Sequence, residues 1–587
     1  MLTYRQQVAD ALEAVLSPLT PTAPRSAEIL TLLEEPPQSE MGDIAFPCFR
    51  LAKELRKAPP QISALLKEAI EKEHPSLAKS FSEVKSLGPY LNFFLNPKEV
   101  IQRQFESTLK AFEAGTPFGL STYGKNQQIV LEYSSPNIGK PMHIGHLRVT
   151  IVGAALNRIY RHAGFNVVSI NHIGDWGSQF GKLAVAFKKW GSEKALREDP
   201  FKHLSEIYVR FHKETESDPS LEALGAEAFK KLENGDPEVK AVWKTITELS
   251  LKEYERIYEK IDARFDQILG ESFYEDKMPD AISLLKKKGL LKESQGAQIV
   301  DLEPYGMIPM IMLKSDGSTI YATRDLAAAL YRAKTWPFQK MIYVVGAQQE
   351  LHFRQLFKVL ELLGFEWAKD CIHVKTGWYQ FKGVSLSTRK GQTLLLEEVF
   401  DKAKEKALEV IEEKNPNLPN KKETALKVSM GATVFADLFT DPVKDVNFDF
   451  DRVLDFNGET GPYVQYTYAR ASSILRKVKE AHPDLTPKVD ASLLDSPECL
   501  ALAKRLLKFE MTLIHTISEN RPSVLAHYLI DLASEFNRFY LSHRILGSEE
   551  EPIDETLKRA RLAVVMSTRK VLSECMRLLG IPAPEQM

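Results

Sequence analysis

Residues 129–174 read IVLEYSSPNIGKPMHIGHLRVTIVGAALNRIYRHAGFNVVSINHIG, and the fold of the central chain turns on them. "IVLEYSS" (129–135) is a short, apolar, β-branched run that stops abruptly, which predicts a buried strand. "LRVTIVGAALNRIYRHAG" (147–164) has helical spacing and closes on Gly164, a C-terminal cap. "NVVSINHIG" (166–174) predicts a second strand. Strand, helix, strand is the βαβ unit of an open parallel sheet. The intervening loop lies at the carboxyl end of a strand, where such sheets bind ligands.

That loop, with the start of the helix, holds Ser135, Asn137, Gly139, Lys140, His143, Gly145 and His146. Two histidines three residues apart suit either a metal or one helix face gripping an anion. Pro141 fits a first helical turn, which puts both histidines near the N-terminus on one side. That terminus offers free N–H groups and about half a positive charge. Gly145 lets a flat ring or a phosphate approach the backbone. A nucleotide phosphate is the favoured occupant. The metal reading is weaker, since no HExxH pattern and no nearby cysteine accompany the pair.

The chain has 587 residues, too many for one core, with 44% hydrophobic and 27% charged residues as in soluble globular proteins. No run of eighteen apolar residues suggests a membrane span. Its start, "MLTYRQQVADALEAVLSPL", reads as an amphipathic helix rather than a secretion signal. Four scattered cysteines without a CxxC pair fit a reducing cytoplasm. A net charge of −2 gives no argument for a nucleic-acid partner.

The expected fold is multidomain. An N-terminal α+β domain (1–112) is followed by an α/β Rossmann-like parallel-sheet domain (113–449). A C-terminal α-helical bundle (450–587) ends the chain. A charged helical insertion interrupts the sheet at about 187–294, Asp316-Gly317 predicts a hairpin, and a helical connector spans about 394–449.

"HIGH" after an apolar strand resembles the signature of class I aminoacyl-tRNA synthetases. "EYSSPNIGKPMHIGHLR", "NHIGDWGSQFG", "FKGVSLSTRKG", "FDFDRVLDFNGETGPYVQYTYARASSIL" and "LGIPAPEQM" together resemble the arginyl-tRNA synthetase family from about residue 130 to the end. "GDIAFPCFRLAKELRK" and "GPYLNFFLN" resemble that family's N-terminal extension. The resemblance implies ATP-dependent activation of arginine to arginyl-adenylate and transfer to tRNA(Arg), with Mg2+ accompanying ATP and no protein-bound structural metal. It implies a cytoplasmic, non-membrane enzyme, expected here to be a monomer.

The resemblance also carries residue roles. The arginine pocket would be Glu132, Ser135, Asn137, His143, Tyr321, Asp325 and Gln349. The ATP site would be Lys140, His143, Gly145, His146, Ser387, Thr388, Arg389 and Lys390, with Lys140, His143, His146, Ser387, Arg389 and Lys390 serving catalysis. The family's lysine loop departs here, with Ser385 and Thr388 at the usual lysine positions. Arg389 and Lys390 would replace one cation and Lys140 the other. A second STRK, Ser567–Lys570, is followed by Val571 in a helical pattern and reads as bundle surface. Glu132 stands out on its own, because a buried carboxylate on an apolar strand needs a partner. Asp325 reads equally well as a helix N-cap.

RNA contacts are expected at Asn92 and Phe93, with Phe94, in the first domain. In the bundle they are expected at Tyr463, Tyr466, Arg470, Tyr540 and Met587, with Tyr468, where aromatic and basic groups mix. A class I synthetase for lysine, a nucleotidyltransferase and a non-catalytic tRNA-binding paralogue are the alternatives. The long bundle argues against the second, and the intact histidines, loop and acidic pocket against the third.

Overall fold

The computed structural model describes residues 1–315, 317–381, 395–547 and 552–587. Loop residues Ser385, Ser387, Thr388, Arg389, Lys390 and Gly391, and Asp316 of the expected hairpin, lie outside the described residues.

The predicted unit forms. β1 (Gln128–Glu132) leads through α1 (Ile144–His162) to β2 (Asn166–Asn171), which lies parallel beside it. With β3 (Gln267–Ile268), β4 (Lys340–Gly346) and β5 (Cys371–Thr376) these strands make a five-stranded parallel sheet ordered β5-β4-β1-β2-β3. Gly164 ends α1 at φ +88°, with Phe165 N–H donating to Tyr160 O at 3.1 Å and Gly164 N–H to Arg161 O at 3.0 Å. Only glycine suits that site, because a Cβ would meet Ser121 O at 2.4 Å.

Apolar layers cover both faces of the sheet. Ile129 and Leu131 of β1 face a core shared with α1, while Val130 faces a second core under α4 (Tyr321–Thr335) and α5 (Glu350–Leu362). Strand alternation then turns Glu132, two residues after Val130, toward α4.

Helices run from Ser178 to Lys260, including α2 (Pro200–Ser217) and α3 (Pro237–Lys260). The helical insertion therefore ends earlier than 294. The chain next supplies the edge strand β3, and Leu291–Ser294, Ala297–Val300 and Met310–Leu313 form an antiparallel sheet. A two-residue edge strand is too short to leave a pattern in sequence. At the expected hairpin Leu313 pairs antiparallel with Thr319, and Lys314 N–H donates to Ser318 O at 2.9 Å.

The first 113 residues pack helices such as Pro59–Glu73 on an antiparallel sheet of Ile44–Pro47, Tyr90–Leu95 and Phe81–Leu87. α6 (Lys421–Phe439) leads to the bundle of α7 (Gly461–Ala481), α8 (Pro522–Ser542) and α9 (Glu555–Leu579). The run after 394 is not wholly helical, since Val446–Phe448 pairs parallel with Tyr379–Phe381. The second STRK lies within α9, but Ser567 and Thr568 are fully buried, and Ser567 Oγ donates to Phe105 O at 3.2 Å. It is an interface with the first domain rather than a bundle surface.

Candidate active site

Glu132 is buried at the carboxyl end of β1, and its partner comes from α4. Arg332 Nη1 lies 2.5 Å from Glu132 Oε2, both side chains withdrawn from solvent. Two turns earlier on the same helix face, Asp325 accepts from His352 Nε2 at 2.6 Å, with His172 Nε2 at 3.8 Å from its other oxygen. Burial works to raise the Asp325 carboxyl. The His352 hydrogen bond and the charges of His352, His172 and Arg332 outweigh it and hold the group below the usual carboxylate range. Asp325 is not the helix cap, which falls at Ile320.

The loop after β1 is strained. Ser134 and Ser135 hold φ of +74° and +51°, uncommon for residues other than glycine and typical of functional turns. Asn171 Oδ1 fixes the turn by accepting Ser135 N–H at 3.1 Å, and Ser135 Oγ is buried with no hydrogen-bond partner among the described residues. Asn137 runs beside Gly174 as a parallel bridge, so close that a Cβ on Gly174 would meet Asn137 Oδ1 at 2.0 Å.

The histidines are placed differently from the expectation. α1 starts at Ile144 with His143 as N-cap, so Pro141 lies outside the helix. His143 Nδ1 accepts Gly145 N–H at 3.1 Å, and His146 Nδ1 accepts His143 N–H at 3.1 Å. The rings lie 3.9 Å apart. Two N–H groups expected to be free are thus capped by the histidines, and an anion would meet the rings instead. Burial and then Lys140 lower the His143 pKa, while burial and then His143 push His146 down to about 3. With both rings neutral and both Nδ1 atoms accepting, the protons sit on Nε2.

Lys140 is exposed on this loop, its Nζ 5.9 Å from the Tyr208 ring centroid on α2. Beyond the undescribed stretch, Leu395 pairs with His143, and Leu396 N–H donates to Met142 O at 3.1 Å. Tyr321 opens α4, exposed, its ring 5.0 Å from that of His352. Gln349 is exposed in the turn just after β4.

A second cluster adjoins Asp325. Asp175 accepts Ser272 N–H and Oγ–H at 2.9 and 2.6 Å, and Arg324 pairs with Glu275 at 2.9 Å and Glu271 at 3.5 Å. Burial pushes Glu271 up to about 7 against the pull of Arg324. Sequence reading missed Arg332, His352, His172 and this cluster. One signal was available, since Arg332 follows Asp325 by seven residues on one helix face.

The expected RNA residues separate. Tyr466, Arg470, Tyr540 and Met587 line one groove of ≈660 Å3 with Arg476 and Lys477, and Arg470 lies over both tyrosine rings at 4.9 Å. Tyr463 is half-buried and accepts from Asn537 at 3.1 Å, whereas Tyr468 is buried against Glu585. Phe93 is wholly buried against Phe81, so its side chain has no surface to offer RNA. Strand alternation at an apolar hairpin turns it inward. Asn92 is buried too, donating to Met41 O at 2.7 Å, and Phe94 is half-buried under Lys85.

Comparisons with known proteins agree with this layout. Residues 3–95 match the family model described as arginyl tRNA synthetase N terminal domain, and 118–450 that of tRNA synthetases class I (R), catalytic domain. Residues 464–587 match the DALR anticodon binding domain. The arginine–tRNA ligase of Clostridium botulinum is 48% identical over 556 residues, spanning 95% of this chain and 96% of that one. That of Alkaliphilus metalliredigens is 44% identical over 587 residues and the whole of both chains. The solved arginyl-tRNA synthetase of Thermus thermophilus is 28% identical and superimposes with a TM-score of 0.81 over 99% of this chain and 100% of that one.

Proposed function

Since the chain belongs to the arginyl-tRNA synthetase family and is an arginine–tRNA ligase that uses ATP, we propose which of its residues carry each step. The arginine carboxylate attacks the α-phosphate of ATP and pyrophosphate leaves; a terminal ribose hydroxyl of the tRNA then takes the arginyl group and AMP departs. No protein nucleophile is needed, so catalysis consists of placement and of stabilising charge on phosphate oxygens.

Asp325, Tyr321, Glu132, Ser135, Asn137, His143 and Gln349 form the arginine site. The observation that supports this best is convergence: two carboxylates, Glu132 from β1 and Asp325 from α4, both lie within electrostatic reach of Arg332 and Tyr343, and the strained turn after β1 holds a serine hydroxyl with no partner among the described residues. A substrate guanidinium suits paired carboxylates. His143 and His146 donate from Nε2 to the phosphates, with Gly145 leaving room. Ser387, Thr388, Arg389 and Lys390 hold the leaving pyrophosphate. Lys140 supplies the cation that Ser385 and Thr388 do not.

Mg2+ comes with the nucleotide. Among the described residues no group of three or more His, Cys, Asp or Glu is placed to hold a metal, so the phosphates would be its main ligands. The three parts divide as 1–112 and 450–587 for tRNA and 113–449 for chemistry, in a cytoplasmic monomer. Four free, buried cysteines suit a reducing compartment, and no helix among the described residues is long and apolar enough to cross a membrane. Tyr463, Tyr466, Arg470, Tyr540 and Met587 contact the anticodon arm; Asn92, its side chain buried against Met41 O, offers the tRNA body no surface.

The test is ATP–pyrophosphate exchange with each of the twenty amino acids, with and without tRNA. Arginine alone should support exchange, and only with tRNA present; a tRNA-independent signal with lysine would overturn the reading.

A further inference from the structure

Arg332 is 1% exposed in the last turn of α4, where a cation must be matched by its surroundings. Its Nη1 holds Glu132 Oε2 at 2.5 Å, its Nε donates to the Tyr274 hydroxyl at 3.4 Å, and its Nη2 has no hydrogen-bond partner among the described residues. The guanidinium lies 5.8 Å from the Tyr274 ring centroid and 5.7 Å from that of Tyr343, which pairs with Glu132 across β4 and β1. The groups facing Glu132 are therefore Arg332, Tyr274 and Tyr343, with Asp325 farther along the same face of α4.

A buried ion pair adds little net stability over a well-packed apolar pair. This one, however, sits at the base of the arginine site and engages one oxygen of its carboxylate. We infer that Arg332 is a positioning residue of the arginine site: from inside the protein it grips Glu132 Oε2 and turns Oε1 toward the substrate guanidinium. Without that contact Glu132 Oε2 would lose its partner and the carboxylate its fixed orientation toward the substrate. A guanidinium serves better than an ammonium, because its rigid plane lets Nε reach the Tyr274 hydroxyl while Nη1 holds Glu132 Oε2, which fixes the direction of that grip. The inference rests on Glu132 being a substrate contact, and the experiment separates the two claims.

Arginine and ATP KM are measured by tRNA-dependent exchange for Arg332→Met, Arg332→Lys, Glu132→Gln and the two double variants. Arg332→Met is expected to raise arginine KM about tenfold or more while ATP KM stays within about twofold. Arg332→Lys should fall between Arg332→Met and wild type. In the Glu132→Gln background either Arg332 change should add less than about twofold, since Arg332 acts only through that carboxylate. Additive effects, or arginine and ATP KM rising together, are what a residue that merely supports the fold would give, and they overturn the inference. If Arg332→Met does not fold, Arg332→Lys carries the cycle, and a wild-type arginine KM in that variant overturns it. An unchanged KM in Glu132→Gln instead removes the arginine-site reading, and this inference with it.

Discussion

Replacing His146 by asparagine and by glutamine separates the two jobs of its imidazole. Nδ1 accepts His143 N–H at 3.1 Å and closes the start of α1, while Nε2 carries the proton outward. Asparagine sets an amide oxygen where Nδ1 stands, keeping the cap and removing the outward donor. Glutamine sets its amide where Nε2 stands and gives up the cap. Losing a cap bond costs about 1 kcal/mol of stability. Losing a preorganised donor aimed at developing charge costs roughly 2.7–4 kcal/mol, or about 10²–10³ in kcat. His146→Asn should therefore be stable and slow; His146→Gln should be less stable and faster than His146→Asn. Exchange at saturating arginine, ATP and tRNA, with thermal unfolding alongside, reads both. The ring also links folding to pH. Its pKa of about 3 lies below the ordinary 6.5, so only the unfolded chain takes up this proton as pH falls through 6.5. Stability is thus lost on the acid side, by about 1.4 kcal/mol at pH 5.5 relative to pH 8, and His146→Asn lacks that loss. Wild-type exchange in His146→Asn, or an acid loss equal to that of wild type, would refute the reasoning.

Glu132→Gln should raise arginine KM roughly 10–150-fold, from the 1.5–3 kcal/mol of a charged hydrogen bond, with ATP KM unchanged in the same assay. Glu271 has a folded pKa of about 7 against the ordinary 4.5, so the fold loses stability as pH rises through that window. Glu271→Gln should therefore stabilise the protein at pH 8, by as much as roughly 3 kcal/mol, and leave it unchanged at pH 4; urea unfolding at the two pH values checks the sign. Arg148, buried in α1, pairs with Asp437 at 3.0 Å and donates to the carbonyls of Asp441, Pro442 and Lys444 at 2.8–3.0 Å. Arg148→Met strands a buried carboxylate and should cost about 3–5 kcal/mol in the same unfolding experiment. Gly174→Ala should push Asn137 out of place and raise arginine KM several-fold; an unaltered KM would detach Asn137 from the site.

The sheet was legible because its signals are local. Abrupt β-branched runs marked β1 and β2, and Gly164 marked the end of α1. Glu132 was legible for a related reason, as a carboxylate on an apolar strand. Its partner was not, because Arg332 lies two hundred residues away and meets it only once β1 and β4 pair beside α4. A longer separation, 289 residues, hid the pairing of Arg148 with Asp437. The histidine pattern was legible as a helix start, but its register was not. Pro141 suggested a helix beginning at the proline, whereas the reciprocal histidine caps place the start at Ile144. Strain at Ser134 and Ser135 has no composition signal, since serine is not a residue that advertises positive φ. Phe93 was misjudged because a hairpin's alternation fixes which residues share a face but not which face is buried.

The most direct test is the structure of the protein with L-arginine bound. The guanidinium should lie between Asp325 and Glu132, within about 3 Å of an oxygen of each, with Arg332 still on Glu132 Oε2 and the ligand reaching Ser135 Oγ. Arginine bound away from both carboxylates, or bound with Arg332 swung off Glu132, would contradict the account.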